Sequence, residues 1–211
     1  MSNLRQNARG FILRNGKRFR LVHGVATSTI VARMWQTTTS ARILAASGNV
    51  YVTAHNTYEF LTQVENDSAA GDIVTPYVAG AVGSVEYFLF VAFKHSVGEV
   101  DSHKKFYAMR INQTSLTVQR YTNVAGPVGG VTTAKTNVAT GVKAHFWEAD
   151  ETVRIAEGMR TEQFAGVMVT KKGLGIAAGH VVTINSKLYE ITGFDVDALE
   201  GLVVNRLERV K

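Results

Sequence analysis

The chain has 211 residues, 45% of them hydrophobic, no cysteine and a formal net charge of +6. That length allows one large domain or two small ones, and the apolar fraction excludes a disordered chain. The missing cysteines exclude disulfides, thiolate metal sites and cysteine nucleophiles, and no run of eighteen apolar residues offers a membrane-spanning helix.

The charge is unevenly placed. Residues 1–58 hold eight basic residues (Arg5, Arg9, Arg14, Lys17, Arg18, Arg20, Arg33, Arg42), and the first carboxylate is Glu59. An acid-free quarter points to an anionic neighbour, either nucleic acid or an acidic protein rim; the alternative is an ordinary solvated face. Residues 1–10 are polar and basic and read as a loose arm without the apolar core of a signal peptide, so the protein is expected to stay where it is made.

Phe11-Ile-Leu13, Asn15-Gly16 and Phe19-Arg-Leu-Val22 together predict a hairpin, because Asn-Gly sits between two apolar runs. Strand character follows over Thr29–Trp35 and Asn49–Thr53. Residues 56–64 predict a short helix, with Asn56 as cap, Glu59 in the capping-box position, and Tyr58, Leu61 and Val64 three apart. Val85–Phe93 is apolar on both faces, as in a fully covered strand. Lys105–Ile111 and Ser115–Arg120 predict two more strands.

Residues 123–142 are small, with one Pro and no large side chain, and predict a long loop that supplies no core. Strands resume at Lys143–Trp147 and near Val153–Ile155. Gly166–Phe194 then reads as a meander: Val167–Val169, a basic turn at Lys171–Gly173, Val181–Ile184, and Leu188–Thr192 after an Asn185-Ser-Lys187 turn. A final amphipathic strand spans Gly201–Val210.

Ala69-Ala-Gly-Asp-Ile-Val-Thr75 recurs as Ala177-Ala-Gly-His-Val-Val-Thr183. After each copy come a strand pair and a closing strand, in the same order. The repeat predicts a mainly β protein built of small barrel or sandwich modules, two in tandem (1–111 and 112–211), with at most one or two short helices. Coincidence between two glycine-preceded strands is the competing explanation.

Four chemistries are weighed and set aside. Gly173-Leu-Gly175-Ile-Ala-Ala178 fits the dinucleotide fingerprint in form, but strand formers follow where a helix is required. His95, Glu99, Asp101 and His103 could ligate a metal and serve a hydrolase, yet they lie in a polar connection where such residues favour water. The six histidines are scattered, and no GxSxG elbow is present. Trp35, Phe106, Tyr107, Tyr121, Phe146 and Trp147 interleave with cations as a stacking surface would, although aromatics in strands more often form core. No catalytic residue, cofactor or metal is assigned.

The second half carries a resemblance. Asn112-Gln-Thr-Ser-Leu-Thr-Val-Gln-Arg120, the glycine-rich Gly126–Gly130, Thr140-Gly-Val-Lys-Ala144, the Gly166–Thr192 meander and the terminal Leu202-Val-Val-Asn-Arg-Leu207 follow one another. This order resembles the small β-barrel head-closure, or head-tail joining, proteins of tailed bacteriophages. Family members usually carry Asp after the glycine that starts the hairpin strand; here His180 stands there, and Asp72 in the first copy. The resemblance implies a structural virion protein at the head-tail neck, made in the host cytoplasm. It would form a homo-oligomeric ring, six-fold or twelve-fold, between a portal or adaptor protein and tail proteins. The ring would close the filled head and touch packaged DNA transiently, without base readout and without a membrane.

On that basis Arg5, Arg9, Arg14, Lys17, Arg18 and Arg20 are candidate contacts to DNA or portal. Gly126, Pro127, Gly129, Gly130 and Lys135 are candidates for an inter-subunit or channel loop. The alternatives are another tailed-phage component, for tail completion or decoration, and a metal-dependent hydrolase using His95 and His103.

Overall fold

The computed structural model describes the backbone of residues 2–36, 57–97, 100–125, 131–148 and 164–210, and the side chains of 6–36, 57–91, 103–124, 133–148 and 165–210. The chain divides into two compact units. The first comprises Met1–Ile111 with Ala198–Leu202, the second Asn112–Asp197 with Val203–Lys211. The predicted mainly β architecture holds, with a single described helix.

In the first unit, helix α1 (Ser2–Asn15) precedes β1 (Lys17–His23), β2 (Ala26–Gln36), β3 (Thr57–Thr62), β4 (Ile73–Val78), the two-residue β5 (Ala81–Val82), β6 (Tyr87–Val97) and β7 (Val100–Arg110). The order of hydrogen-bonded strands is β1-β2-β3-β7-β6-β4, with β5 on the end, and β4 pairs back onto β1. Six strands therefore form a closed circuit with few open edges. Alternation explains the inside: Phe19 and Leu21 of β1 meet Ile30 and Ala32 of β2, Phe60 of β3, Val74 of β4, Leu89 of β6 and Phe106 of β7. Phe19 and Phe60 pack edge to face, centroids 5.2 Å apart. Each fully buried large side chain of this set contributes about 1.5–3 kcal/mol by leaving water.

The second unit contains β8 (Gln113–Ala125), β9 (Val131–Glu148), β10 (Phe164–Lys171), β11 (His180–Ile184), β12 (Lys187–Leu199) and β13 (Leu202–Arg209). These close a barrel in the order β10-β13-β12-β11-β8-β9. Taken in chain order and leaving out β5, this is the same order as in the first unit: β1 corresponds to β8, β2 to β9, β3 to β10, β4 to β11, β6 to β12 and β7 to β13. The interior holds Leu116, Val118, Phe146, Met168, Val182, Tyr189, Ile191 and Leu207. Asn112 starts the unit by a side-chain bridge: its amide donates to the Phe146 carbonyl at 2.6 Å and its carbonyl accepts from the Phe146 N–H at 2.8 Å. The recurring Ala-Ala-Gly motif precedes β4 in one unit and runs into β11 in the other. Gly71 (φ 91°) and Gly179 (φ 82°) take the left-handed conformation that glycine tolerates.

Three expectations are corrected. Residues 2–15 form neither a loose arm nor the first strand of a hairpin. They are helical because Arg, Gln, Ala and Leu favour helix, and the helix buries Ile12 while Phe11 and Leu13 stay outside. Asn15 donates its side-chain amide to the Phe11 carbonyl at 3.1 Å, and a Cβ at Gly16 would collide with the Ile12 carbonyl. The hairpin falls one element later, with His23 opposite Ala26 and Gly24 at φ 58°.

Residues 57–62 are strand β3 instead of the expected helix. The local capping signature loses to two ladders, Tyr58 facing Gln36 on one side and Ala108 on the other. The small-residue segment 123–142 is not a loop in its described parts: Asn123 pairs with Thr133, and Ala125 with Val131, in one long hairpin. It also supplies core, since Val142 is buried and Val138 and Ala139 pack, partly buried, against the same cluster. The strands expected at Asn49–Thr53 and Val153–Ile155 lie outside the described residues, as do Gly126, Pro127, Gly129 and Gly130.

Candidate interface for an anionic partner

Of the acid-free quarter, α1, β1 and β2 are described. Arg9 and Arg14 are exposed on α1, and Lys17 and Arg18 are exposed at the start of β1. Arg14 donates from Nε to its own helix at the Gly10 carbonyl, 3.3 Å away, and Arg18 lies over the Tyr77 ring at 5.3 Å. These interactions fix the side chains without neutralising them. Arg20 differs: its guanidinium meets Glu86 at 3.3 Å, so its charge is compensated inside the protein. Arg5 belongs to α1, with its side chain outside the described residues.

Arg33 belongs to the acid-free quarter but not to the six candidate contacts. On β2 it stands two residues from Trp35, on the outward side, while Ile30 and Ala32 point inward. Its guanidinium lies 4.7 Å from the Phe11 ring centroid and 5.8 Å from that of Trp35. A cation between two exposed rings is held by their π faces and remains available to an anion. The i, i+2 spacing of Arg33 and Trp35 on a predicted strand is the sequence signal for this pair. Phe11 carries no such signal, because its apolar neighbours read as a strand.

Other described cations of this unit have local partners. Lys105 meets Glu59 at 2.8 Å, and Lys104 donates to the Asn66 carbonyl at 2.7 Å. His23 Nδ1 lies 3.0 Å from both carboxylate oxygens of the buried Asp72. Among the described residues, the uncompensated charge is thus concentrated on α1, the start of β1 and the adjoining end of β2. A surface of this kind attracts phosphate or carboxylate over long range.

Lys135 lies in β9, exposed, its ammonium 5.3 Å from the Tyr121 ring centroid across the β8–β9 ladder. Among the six aromatics weighed as a stacking surface, Phe106, Tyr107 and Phe146 are buried, whereas Trp35 and Tyr121 are exposed. Trp147 packs against His145 with centroids 5.0 Å apart.

No cluster of three or more metal-ligating residues occurs among the described residues. His95 and His103 face each other in the β6–β7 ladder, while Glu99 and the side chains of His95 and Asp101 lie outside the described part. The segment after Gly173 continues as a turn into β11, so the glycine fingerprint opens no helix. In the second unit Thr170, Leu174, Ile176, Phe194, Val196 and Val203 line a shallow cavity of about 110 Å³, with Lys171 as its one cation. Glu148 and Lys187 form an exposed pair at 2.6 Å, which lowers the carboxyl and raises the ammonium through their mutual hydrogen bond. Burial, followed by the nearby Glu148 charge, raises the Tyr189 phenol.

No protein family matches the chain, and no curated protein resembles it in sequence. Among solved structures, K. pneumonia MrkH in complex with c-di-GMP aligns with a TM-score of 0.26 at 7% identity, covering 98% of this chain and 86% of that one. MrkH in its apo state aligns at 0.23 and 8% identity, covering 99% and 84%. Similarity this low supports no statement about this chain.

Proposed function

We propose that this chain is a structural part of a tailed-bacteriophage particle, a connector ring at the neck between portal and tail. In this reading it closes the filled head, offers the surface on which the tail docks, and performs no catalysis. The observation that carries the proposal is the second unit. The residues that resemble head-closure proteins, from Asn112 onward, fold as a closed six-stranded barrel with a long β8–β9 hairpin. A closed barrel gives fixed geometry to a repeating part, and ring assembly needs little more than a complementary head-to-tail contact.

The basic surface fits the same role. Arg9, Arg14, Lys17, Arg18 and Arg33 present charge without base-reading geometry, as suits DNA in transit or an acidic portal rim. The chain would assemble with copies of itself and meet portal or adaptor protein on one side and tail proteins on the other.

Locating the polypeptide in intact particles tests the proposal. Density or antibody label confined to the neck, with binding of purified protein to portal complex, is the expected result. Label spread over the capsid shell or at the far tail end would overturn the neck assignment and favour a decoration or tail-completion part.

A further inference from the structure

We propose that Arg33 and the rings around it form a docking site for a protein segment that sets a carboxylate among apolar side chains; this inference rests on the reading of the basic surface above and names its partner class. The site lies on the first unit. Phe19, Leu21, Ile30 and Ala32 fill the inside of that barrel, so Arg18 on β1 and Arg33 and Trp35 on β2 stand on its outer side. Arg18 is opposite Val31, one diagonal step from Arg33.

α1 packs on β2 and sets Phe11 beside Arg33. The guanidinium carbon lies 4.7 Å from the Phe11 ring centroid and 5.8 Å from that of Trp35. Phe11 is 48% and Trp35 40% exposed, so neither ring belongs to the core. Arg18 is held in the same manner, over the Tyr77 ring at 5.3 Å, and the Tyr77 hydroxyl meets that of Thr29 at 3.2 Å. Two guanidinium groups on one face thus rest on aromatic rings, which lowers the ordering cost of binding through them.

Among the described residues no carboxylate meets Arg33 or Arg18. The sequence adds that residues 1–58 contain none, the stretch directly after β2 included. Opposite Trp35 on β3 stands Glu59, and Lys105 holds it at 2.8 Å. Glu86 is taken by Arg20 at 3.3 Å. The partner has to bring the negative charge.

Charge alone would suit a phosphate equally well, and the rings decide between the two. A duplex backbone presents solvated phosphates and sugars, which give Phe11 and Trp35 no apolar surface to cover. A single strand binds by stacking bases on open ring faces, whereas here a guanidinium already takes a face of each ring. Arginine grouped with exposed Trp and Phe is the composition of an interface hot spot between proteins. A carboxylate closing on Arg33 pairs with its fork of donors, and the rings exclude water from that pair, which strengthens it. Apolar residues beside the carboxylate would cover Phe11 and Trp35.

The test pans a random peptide library against the immobilised full-length chain, and measures the affinity of the selected peptides in solution. The peptides are expected to carry Asp or Glu beside Phe, Leu, Trp or Tyr. Arg33→Gln should weaken them about tenfold or more, and Phe11→Ser should weaken them as well. Lys172→Gln, the same loss of charge in a turn of the second unit, should leave them unchanged; circular dichroism checks each fold. The inference is overturned if no peptide is recovered, if the recovered ones lack acids, or if Arg33→Gln or Phe11→Ser binds them like the wild type. It is equally overturned if oligothymidine or duplex DNA displaces them and is itself held through Arg33, which would make this a nucleic-acid site. Peptide binding through Arg33 without binding of the chain to portal complex would keep the docking site and reject the neck. Portal binding that is unchanged in Arg33→Gln, with no peptide selected, would keep the neck and reject the docking site.

Discussion

Asp72 and His180 close two turns of the same construction, one in each unit. The Asp72 carboxylate accepts the Ala69 N–H at 2.8 Å, and His180 Nδ1 accepts the Ala177 N–H at 3.1 Å. In each turn the backbone N–H of the closing residue returns to the carbonyl three residues earlier, at 3.3 Å. Gly71 donates to Leu89 on β6 at 2.7 Å, and Gly179 to Ile191 on β12 at 2.8 Å. With the shared strand order, this makes the two sequence copies equivalent in three dimensions. What differs is the acceptor: a carboxylate that also holds His23, or a buried imidazole.

That difference predicts a substitution pattern. Asp72→Ala leaves the Ala69 N–H and His23 without their acceptor and is expected to cost about 1–3 kcal/mol in urea unfolding. His180→Asp restores an oxygen acceptor of the kind used in the first turn and is expected to keep the fold. A His180→Asp chain that unfolds as readily as His180→Ala would show that the two turns are not interchangeable.

Burial, with a smaller contribution from Arg120, holds the His180 imidazole below its ordinary value of 6.5. The unfolded chain then binds a proton that the native turn refuses, so stability falls as the pH drops below about 6.5. The wild-type urea midpoint should therefore decline between about pH 7 and pH 5 more steeply than that of His180→Asn, whose carbonyl accepts without titrating. Equal slopes would remove His180 from the acid response.

Within the first unit Gly201 meets the backbone of Ala70 and Gly71. A Cβ at Gly201 would collide with both, and its φ of 79° strains any other residue. Gly201→Ala is expected to destabilise by more than about 3 kcal/mol, measured by thermal unfolding, as strain and overlap add. Gly24→Ala is the control: it shares a positive φ of 58° but faces open space. There, strain alone costs about 1–2 kcal/mol.

If the basic surface meets DNA, replacing Arg9, Arg14 and Lys17 by Glu should weaken duplex binding at low salt. It should also lower the slope of log affinity against log salt by about 1 for each phosphate that is no longer neutralised. Arg20→Gln should leave that slope unchanged, because Arg20 already faces Glu86. Unaltered retention of the triple variant on DNA would assign the surface to a protein partner or to solvent.

Alternation makes much of the second unit legible. Val181–Ile184 and Leu188–Thr192 form the ladder that their pattern announces, Val182 facing Tyr189. The repeated Ala-Ala-Gly motif likewise points to two modules without any knowledge of strand order. Where a signal is short and borrows its meaning from neighbours, it misleads. Asn15-Gly16 has the form of a hairpin turn, but helix propensity carries the chain through Asn15, whose side chain turns back onto the Phe11 carbonyl. Thr57–Thr62 has the form of a capped helix, but β2 and β7 offer its backbone two ladders. The small residues of 131–142 promise little structure, yet a strand paired along its length needs little side-chain bulk.

The sequence by itself determined the β composition, the two turns, the cysteine-free chemistry and the lopsided charge, because all of these are properties of residues and their near neighbours. Tertiary structure alone decided which cations remain uncompensated, since Arg20 and Glu86 are distant in sequence. It also decided that Arg33 joins Phe11 and Trp35. Those outcomes depend on pairings that close over long loops, and local pattern does not encode them.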